Sequence, residues 1–405
     1  MSILILNSAS RDRCPYDEWL QHLNEDLILL TTRKHYGEFV GGSYKRVIGF
    51  DNYRDNWCVE LTAMELAETN DVRAIIASGE FDLLRAAKLR DMLNISGQNW
   101  ESALAFRDKT VMKHLTMKAG IKVPQFERIN DAFDISSFIS ENGYPVVIKP
   151  ISGAGSLDTK IINNRIDLEN MLSSAIKTPM EIEEFIEGDM YHVDGIVMDG
   201  RVTFAYPSKY INGCLAHQKN LYLGSYMLDA TNPLFESLLG FVEQVVFALP
   251  TPQYTIFHAE VFHTPNNEFV LCEIASRVGG GLIEESFLHA FGINLQKTMA
   301  EFQCGIYDVL ATSSNKSPKF FTGFILIPPH PLVLSKLAND DPPDYVLEKH
   351  ISGEIGRAYR AVDSVTNSIA SILVRGDSEN QVLRRIEKVN DWFQKCVQWD
   401  ESVDE

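Results

Sequence analysis

The chain lacks the features that would place it outside a reducing, aqueous compartment. Its 405 residues contain six cysteines and no CxxC pair, which excludes a disulfide framework and predicts reduced thiols. No basic leader precedes the first short apolar run, so we expect a strand there rather than a signal peptide. No run approaches the roughly 20 apolar residues of a membrane span. These absences predict a cytoplasmic protein without a membrane partner.

Positive charge is also scarce. The chain has 37 lysines and arginines against 55 aspartates and glutamates, a net charge of −18 at pH 7, which argues against a nucleic-acid partner. An anionic substrate is not excluded, because a local cluster of cations can outweigh a distant field. Apolar residues at 45% and charged residues at 23% are ordinary for globular proteins. The length suffices for two or three domains.

The first 99 residues alternate short apolar runs with helical patterns. This alternation is typical of βαβ units around a parallel sheet. No glycine-rich fingerprint follows the first strand, so a dinucleotide site is not predicted there. The predicted strands are Ile3–Leu6, Leu27–Thr31, Val47–Phe50 and Ala74–Ala77, and the predicted helices are Pro15–Leu23, Trp57–Glu68 and Phe81–Leu93.

The rest of the chain predicts a helical connection, a small α+β unit and a set of hairpins. Residues 100–120 predict one helix, and residues 126–186 alternate strands and helices over a length typical of a mobile lid. Two hairpins follow, with turns at Asp199–Gly200 and Pro265–Asn267. We therefore expect three domains: an α/β domain at 1–99, a helical connection with a lid at 100–189, and a mixed α+β domain at 190–405.

The second hairpin brings together side chains with a specific chemistry. Side chains alternate along a strand, so His258 and Glu260 share one face, and Glu273 and Arg277 share a face on the returning strand. If the two faces coincide, the paired carboxylates need a cation between them. Oxygen ligands of this kind suit magnesium. The alternative is a solvated pair of carboxylates bridged by Arg277.

Three consecutive glycines follow this strand. Gly279, Gly280 and Gly281 expose backbone amides and allow a ligand to approach closely. The helix predicted after them favours an anion at its N-terminus. A plain loop is the alternative, but the position directly after Arg277 indicates a carboxylate or phosphate site.

A lysine and a second glycine-containing loop lie earlier in the chain. Lys149 ends an apolar strand, where an unpaired ammonium group is costly. The loop after it contains Ser152, Gly153, Gly155 and Ser156, whose backbone amides can surround phosphates. It is not a P-loop, because no lysine follows the last glycine. A hairpin loop beside an edge lysine is the alternative.

One strand end offers backbone hydrogen-bonding groups next to apolar side chains. It consists of Glu183, Glu184, Phe185 and Ile186, shortly before Gly188. This combination suits the edge of a purine, and an ordinary edge strand is the alternative.

The order of these features along the chain resembles the ATP-grasp superfamily. The resemblance covers roughly Phe106 to Leu295. Lys109 is the first residue in its ordered set of motifs. It implies an ATP-grasp fold of α/β and α+β class, with an N-terminal Rossmann-like domain, a small lid domain and a C-terminal mixed α+β domain.

The resemblance implies roles around ATP, the co-substrate. Lys109 and Lys149 correspond to the two phosphate-contacting lysines of the family. The loop 152–156 corresponds to the glycine-rich lid over the phosphates. Residues 183–186 correspond to the hinge that receives adenine.

The resemblance also implies roles at the reacting groups. Glu260 and Glu273 correspond to the ligands of two magnesium ions, for which manganese can substitute. Arg277, with the amides of residues 279–281, corresponds to the group that steadies the acyl phosphate. His258 is either a base for the attacking amine or a residue that orients a metal ligand.

Two positions depart from the family pattern. Ala275 stands where many members have a metal-binding asparagine. Met190 stands where many have a ribose-binding glutamate, and Asp189 or Asp194 is a candidate substitute.

The motif at residues 273–281 is most similar to that of bacterial L-amino-acid ligases. This similarity implies that two amino acids are joined through an acyl phosphate, with release of ADP and phosphate. Two alternatives stay open: transfer of the amino acid to the thiol of a carrier protein, and a non-catalytic nucleotide-binding protein. The resemblance also leaves a homodimer open.

Overall fold

The structure is a computed structural model of the chain. It describes residues 1–173, 179–308, 317–337, 340–360, 362, 364 and 367–401. Within these ranges, no helix combines the length and the apolar character that crossing a membrane requires.

The N-terminal region is built on a parallel four-stranded sheet. Its strands are β1 (Ser2–Asn7), β2 (Asp26–Thr32), β3 (Arg46–Phe50) and β4 (Val72–Ala77). Their order is β3-β2-β1-β4, which confirms the predicted parallel sheet. All six residues of β1 are buried, because helices cover both faces of a parallel sheet and its strands become continuously apolar.

Six helices accompany this sheet and lead out of it. They are α1 (Tyr16–Trp19), α2 (Tyr36–Phe39), α3 (Cys58–Thr69), α4 (Leu83–Leu93), α5 (Trp100–Ala105) and α6 (Lys109–Lys118), with single 3-10 turns at Gln21–Leu23 and Tyr53–Asp55. The helix predicted over 15–23 is therefore two short pieces, and α2 was not predicted.

The single helix predicted over residues 100–120 is wrong. The helix is interrupted between α5 and α6, where the Asp108 side chain accepts hydrogen bonds from the amides of Thr110 and Val111. An aspartate in this N-cap position satisfies amides that a continuous helix would bond internally. The break places Lys109 at the start of α6 and frees Arg107 to contact other parts of the molecule.

The lid region contains a small antiparallel sheet with two helices. Its elements are β5 (Phe126–Ile129), α7 (Ala132–Asn142), β6 (Val146–Pro150), β7 (Lys160–Ile162), α8 (Arg165–Leu172) and β8 (Met180–Glu184). The strand order is β5-β8-β6-β7. Strand β8 ends two residues earlier than predicted, and the end of the helix predicted over 167–175 lies outside the described residues.

An antiparallel eight-stranded sheet forms the largest part of the protein. Its order is β13-β12-β9-β10-β11-β14-β17-β16. The turn between β9 and β10 has positive φ at Asp199 and Gly200, the tight hairpin geometry predicted for this pair. The strands are β9 (Asp189–Met198), β10 (Arg201–Ile211), β11 (Leu223–Met227), β12 (Thr255–His263), β13 (Phe269–Ala275), β14 (Phe321–Ile327), β16 (Val346–Ile351) and β17 (Ala370–Gly376).

Among the described residues, four α-helices, a 3-10 turn at Ala216–Lys219 and a two-stranded sheet complete this part. The helices are α9 (Phe235–Ala248), α10 (Ile283–Phe291), α11 (Leu295–Gln303) and α12 (Glu379–Cys396), and the small sheet pairs β15 (Val333–Leu337) with β18 (Val397–Asp400). Helix α12 buries Val382, Ile386, Val389 and Phe393, a spacing that places one apolar stripe on the sheet.

Helix α11 joins the large sheet to the N-terminal region. Its Ala300 packs in the core of the parallel sheet. The Gln303 side chain accepts a hydrogen bond from the amide of Ala77 at 2.8 Å and donates one to the carbonyl of the same residue at 3.1 Å. The end of β4 is thereby fixed against the large sheet, and the loop after β4 becomes part of the candidate site.

Candidate active site

A large cavity lies between the three regions. Its volume is about 1760 Å³, beyond the roughly 300–1,000 Å³ of a pocket for one small ligand. The lid, the large sheet and the loops at the carboxyl ends of β1 and β4 all line it. This is the edge at which open α/β sheets bind ligands. The space suits a nucleotide together with further substrates.

The two hairpin carboxylates lie on the wall of this cavity. Glu260 and Glu273 are direct partners across β12 and β13, so their β-carbons are about 5 Å apart. The predicted convergence of the two strand faces is therefore confirmed. The neighbouring pair is His258 with Ala275, and Ala275 is buried and offers no polar side-chain atom.

Lysine side chains compensate the charge of Glu273. The ammonium group of Lys109 lies 2.7 Å from its Oε2. Burial alone would raise the pKa of Glu273, but Lys109 and Lys149 lower it to about 2. The group is therefore a carboxylate throughout the neutral range.

The carboxylate oxygens of Glu260 and Glu273 suit magnesium as ligands. Tyr210 donates a hydrogen bond to Glu260 Oε1 at 3.1 Å, and Lys109 contacts Glu273 Oε2. The second oxygen of each carboxylate makes no hydrogen bond with any described residue. Two available carboxylate oxygens across one strand pair, with room beside them for phosphate oxygens and water, suit this ion. Ala275 adds nothing to the set.

Lys149 belongs to a buried network of four charges. Its ammonium group lies 2.6 Å from Glu183 Oε1 and 3.8 Å from Glu181 Oε1. Lys113 of α6 contacts Glu181 Oε1 at 2.8 Å and also contacts Glu183 Oε2. Burial alone would lower the pKa of Lys149, but Glu183 raises it well above its usual value. Lys149 therefore presents a fixed positive charge on the cavity wall.

This network changes the interpretation of Glu183. The sequence predicted residues 183–186 as one hinge for adenine. The Glu183 side chain is buried and holds Lys149 instead. Beyond β8, half-exposed Phe185 and neighbouring Ile186 line the cavity. The Glu184 amide is already bonded to the carbonyl of Gln125.

Of the two candidates to replace a ribose-binding glutamate, one is excluded. Asp194 is fully buried, and its two oxygens accept hydrogen bonds from His192 at 2.6 Å and His258 at 2.8 Å. Asp189 lines the cavity and pairs with Lys209 at 2.7 Å. Met190 also lines the cavity. Asp189 is thus the group with access to a ribose.

In the loop after β6, backbone carbonyls accept hydrogen bonds from protein side chains, whereas the backbone amides of residues 153–156 have no hydrogen-bond acceptor among the described residues. Arg107 donates to the carbonyl of Ser152 at 2.6 Å, Lys109 to that of Gly153 at 3.3 Å, and Ser364 to that of Gly155 at 2.8 Å. Among the described residues, nothing accepts a hydrogen bond from the amides of residues 153–156. Open amides lining a cavity beside two lysines suit phosphate oxygens.

We expect these amides to report nucleotide binding. The amides of residues 153–156 should exchange hydrogen quickly in the free protein, because they lack partners. Adding a non-hydrolysable ATP analogue with magnesium should slow their exchange markedly, whereas exchange in β1 should not change. Equal protection of residues 153–156 with and without the analogue would contradict the role of this loop.

A carboxylate that sequence reasoning missed holds Arg277. Glu80, in the loop after β4, accepts hydrogen bonds from both Arg277 and Arg107. Burial alone would raise the pKa of Glu80, but Arg277 and Arg107 hold it below its usual range. The signal for Glu80 was its place after Ser78-Gly79 at the carboxyl end of a parallel strand. Arg277 also donates to the carbonyl of Val278 at 2.8 Å.

The three glycines have different surroundings. A β-carbon at Gly279 would lie 2.4 Å from Ile283 and 2.8 Å from Asp194 and His258, so only glycine fits there. Gly281 has a φ of +66°, a conformation that glycine adopts without strain. Gly280 has open space around its α-carbon. All three line the cavity next to Arg277.

His258 lies on the predicted face but carries a proton. Its Nδ1 hydrogen-bonds Asp194 Oδ1, and its Nε2 lies 3.5 Å from Glu260 Oε1. Burial alone would lower the pKa of His258, but Asp194 raises it to about 10. A protonated ring accepts no proton, so these contacts favour the orienting role over the base role.

Comparison with known proteins gives a consistent result. Residues 106–280 match the family model of the ATP-grasp domain. The chain is 26% identical over 304 residues to the L-arginine-specific L-amino acid ligase of Bacillus subtilis, covering 73% of each chain. The crystal structure of an L-amino acid ligase from Bacillus licheniformis aligns with a TM-score of 0.75 at 15% identity, covering 99% of this chain and 98% of that one.

A further solved structure adds a bound nucleotide. The biotin carboxylase domain dimer of 2-oxoglutarate carboxylase from Hydrogenobacter thermophilus was solved with MgADP. It aligns with a TM-score of 0.70 at 15% identity, covering 98% of this chain and 90% of that one. Residues 106–280 therefore form an ATP-grasp domain, and the chain has the ATP-grasp fold over nearly its whole length.

Proposed function

We propose that this protein is an ATP-dependent ligase that joins two L-amino acids through an acyl phosphate, with release of ADP and phosphate. The observation that carries the proposal is the set of groups around one cavity. Lys109, Lys149, the two carboxylates Glu260 and Glu273, and Arg277 all line it. The named activity of the B. subtilis and B. licheniformis relatives supports the same reaction.

In the first step, the substrate carboxylate attacks the γ-phosphate of ATP. Lys149 and Lys109 offset the negative charge on the phosphoryl group in transfer. The open amides of residues 153–156 hold the phosphates, and loop closure keeps water from the acyl phosphate. Magnesium at Glu260 and Glu273, when bound, supplies further charge neutralisation at the phosphate oxygens. The proposal extends to two ions, with manganese as a substitute.

In the second step, an amine attacks the acyl carbon, the bond from that carbon to the phosphate oxygen breaks, and the departing phosphate takes the proton that the amine loses. Arg277 and the amides of residues 279–281 stabilise the negative charge that develops on the carbonyl oxygen. Glu80 holds the guanidinium of Arg277 in place. Preorganised donors of this kind need no rearrangement during the reaction, which is why they stabilise the transition state effectively.

The products test the proposed chemistry. Incubation with ATP, magnesium and mixed L-amino acids should give ADP, phosphate and dipeptide in equal amounts, because an acyl phosphate leaves the bond between the α- and β-phosphates intact. Chromatography of the nucleotides and mass spectrometry of the products provide the measurement. Stoichiometric AMP would place the protein in an adenylating class instead.

The proposal also covers the acceptor, the location and the oligomeric state of the protein. The acceptor is an amine rather than the thiol of a carrier protein, so dipeptide should form without any added protein. The expected location is the cytoplasm, which agrees with six cysteines that are all unpaired. A homodimer stays a prediction, for which sedimentation of the purified protein is the measurement.

A further inference from the structure

Part of the cavity wall is acidic and takes no part in the mechanism above. Glu284 and Glu285 form the first turn of α10, directly after the three glycines, and Glu348 comes from β16. All three line the cavity, as does Asp12 from the loop after β1. We call Glu284, Glu285 and Glu348 the acidic cluster. No residue of the lid belongs to it.

Two members of the acidic cluster each have one carboxylate oxygen without a hydrogen-bond partner. Glu284 is 7% exposed, and its Oε2 is buried without a hydrogen bond, as is Oε2 of Glu285. Burial raises the pKa of Glu284 to about 7 and also raises the pKa of Glu285. The helix dipole favours acidic residues at this position, but it does not explain why each carboxylate leaves an oxygen unbonded beside a cavity. Buried carboxylates of this kind are costly unless a cation is bound.

The cations already present do not balance the cluster. Arg13 Nε lies 3.7 Å from Glu284 Oε2, beyond hydrogen-bond distance, and the Arg13 side chain is 43% exposed. Glu348 contacts His289 at 2.8 Å and His350 at 3.3 Å. Glu285 makes no ion pair with any described residue. Arg13 is therefore a loosely held cation, and it makes no hydrogen bond to Oε2 of Glu284 or Glu285.

The spacing of the carboxylates decides what kind of cation fits. Among the described residues, the one group of three candidate metal ligands within 4.8 Å of one another is His192, Asp194 and His258. The acidic cluster offers no such group of three, so protein ligands alone do not enclose a metal ion there. An extended organic cation with several N–H donors suits separated carboxylates better.

The position relative to Arg277 decides which part of a substrate reaches the cluster. Burial alone would lower the pKa of Arg277, but three carboxylates raise it by their negative charge: Glu80, Glu273 and Glu260. An α-ammonium group is two bonds from the carboxyl carbon that reacts beside Arg277, so it belongs near those groups. A long side chain extends farther along the cavity.

We propose that the acidic cluster binds the positively charged side chain, guanidinium or ammonium, of an amino-acid substrate. This proposal rests on the ligase function proposed above and names its substrate class. Glu284 and Glu285 act as acceptors, and the bound cation balances the negative charge on the cavity wall that Arg13 leaves uncompensated.

The test compares substrates that differ in charge alone. Phosphate release is measured with L-arginine and with L-citrulline, which has the same length but a neutral urea group, each with the same panel of second amino acids. The wild-type protein should show a kcat/KM for arginine at least about 30-fold above that for citrulline, as expected for a charge pair shielded from water. Lysine should likewise exceed norleucine.

Isosteric variants test the residues. Glu284→Gln and Glu285→Gln should each lower the arginine-to-citrulline ratio about tenfold or more. Glu268→Gln, an exposed glutamate in the hairpin between β12 and β13, is the matched control and should leave the ratio unchanged. Arg13→Gln should lower the KM for arginine, because it removes the competing cation. Thermal unfolding of each variant establishes that it is folded.

The outcomes separate the two proposals. No phosphate release with any amino acid would overturn the ligase function. Release with neutral amino acids, but equal kcat/KM for arginine and citrulline, would overturn only the cationic side-chain site. An equal fall for both substrates in Glu284→Gln would assign the cluster to the α-ammonium group and would also overturn the proposal.

Discussion

Replacing Glu273 by glutamine should reduce amino-acid-dependent phosphate release about 100-fold or more, the effect expected when one preorganised electrostatic group is removed. The pKa of about 2 means that Glu273 is a carboxylate at every pH used in an assay. An amide keeps the shape of the side chain but is a poor magnesium ligand, and it leaves Lys109 without the carboxylate 2.7 Å away. Initial rates at saturating ATP provide the measurement.

The control for this variant comes from the same hairpin. Glu268 pairs with Lys122 at 2.6 Å on the surface, with both side chains about half exposed. Glu268→Gln should retain the wild-type rate, since exposed pairs contribute little. Near-normal turnover by a Glu273→Gln protein with wild-type unfolding temperature would contradict the metal assignment.

The sequence predicted the site well where the information is local. Alternation along two strands joined by a short turn predicted that Glu260 and Glu273 converge if the two strand faces coincide, and the register pairs them directly. The parallel N-terminal sheet was predicted from the alternation of short apolar runs with helical patterns. The break at Asp108 was also local, yet it was missed because the helical pattern on both sides outweighed a single N-cap residue.

Contacts between distant parts of the chain were not predictable in this way. Glu80 and Arg277 are separated by 197 positions, and the place of Glu80 just after β4 does not indicate which distant residue it contacts. The same applies to α11, whose Gln303 bonds to the end of β4. Periodicity specifies which face of an element is apolar, but not which other element covers it.

Lys113 is the clearest example of this limit. A lysine within a helix is normally exposed to solvent, and sequence reasoning gave it no role. In the structure its side chain is completely buried between Glu181 and Glu183 of β8. Glu183 in turn contacts Lys149. Burial alone would raise the pKa of Glu183, but Lys113 and Lys149 lower it. Lys113 therefore supports the position of Lys149 from behind the cavity wall.

We accordingly expect Lys113→Met to destabilise the protein by about 3–5 kcal/mol, because removing one member of a buried ion network leaves uncompensated charge. Denaturant unfolding measures this loss. Lys118→Met, at the exposed end of the same helix, should change the free energy of unfolding by no more than about 0.5 kcal/mol.

The double variant Lys113→Met with Glu181→Leu should recover most of the stability, since it removes one charge of each sign and leaves the Lys149–Glu183 pair intact. A loss below about 1 kcal/mol for Lys113→Met, or a double variant less stable than Lys113→Met, would show that charge balance does not hold α6 against the lid.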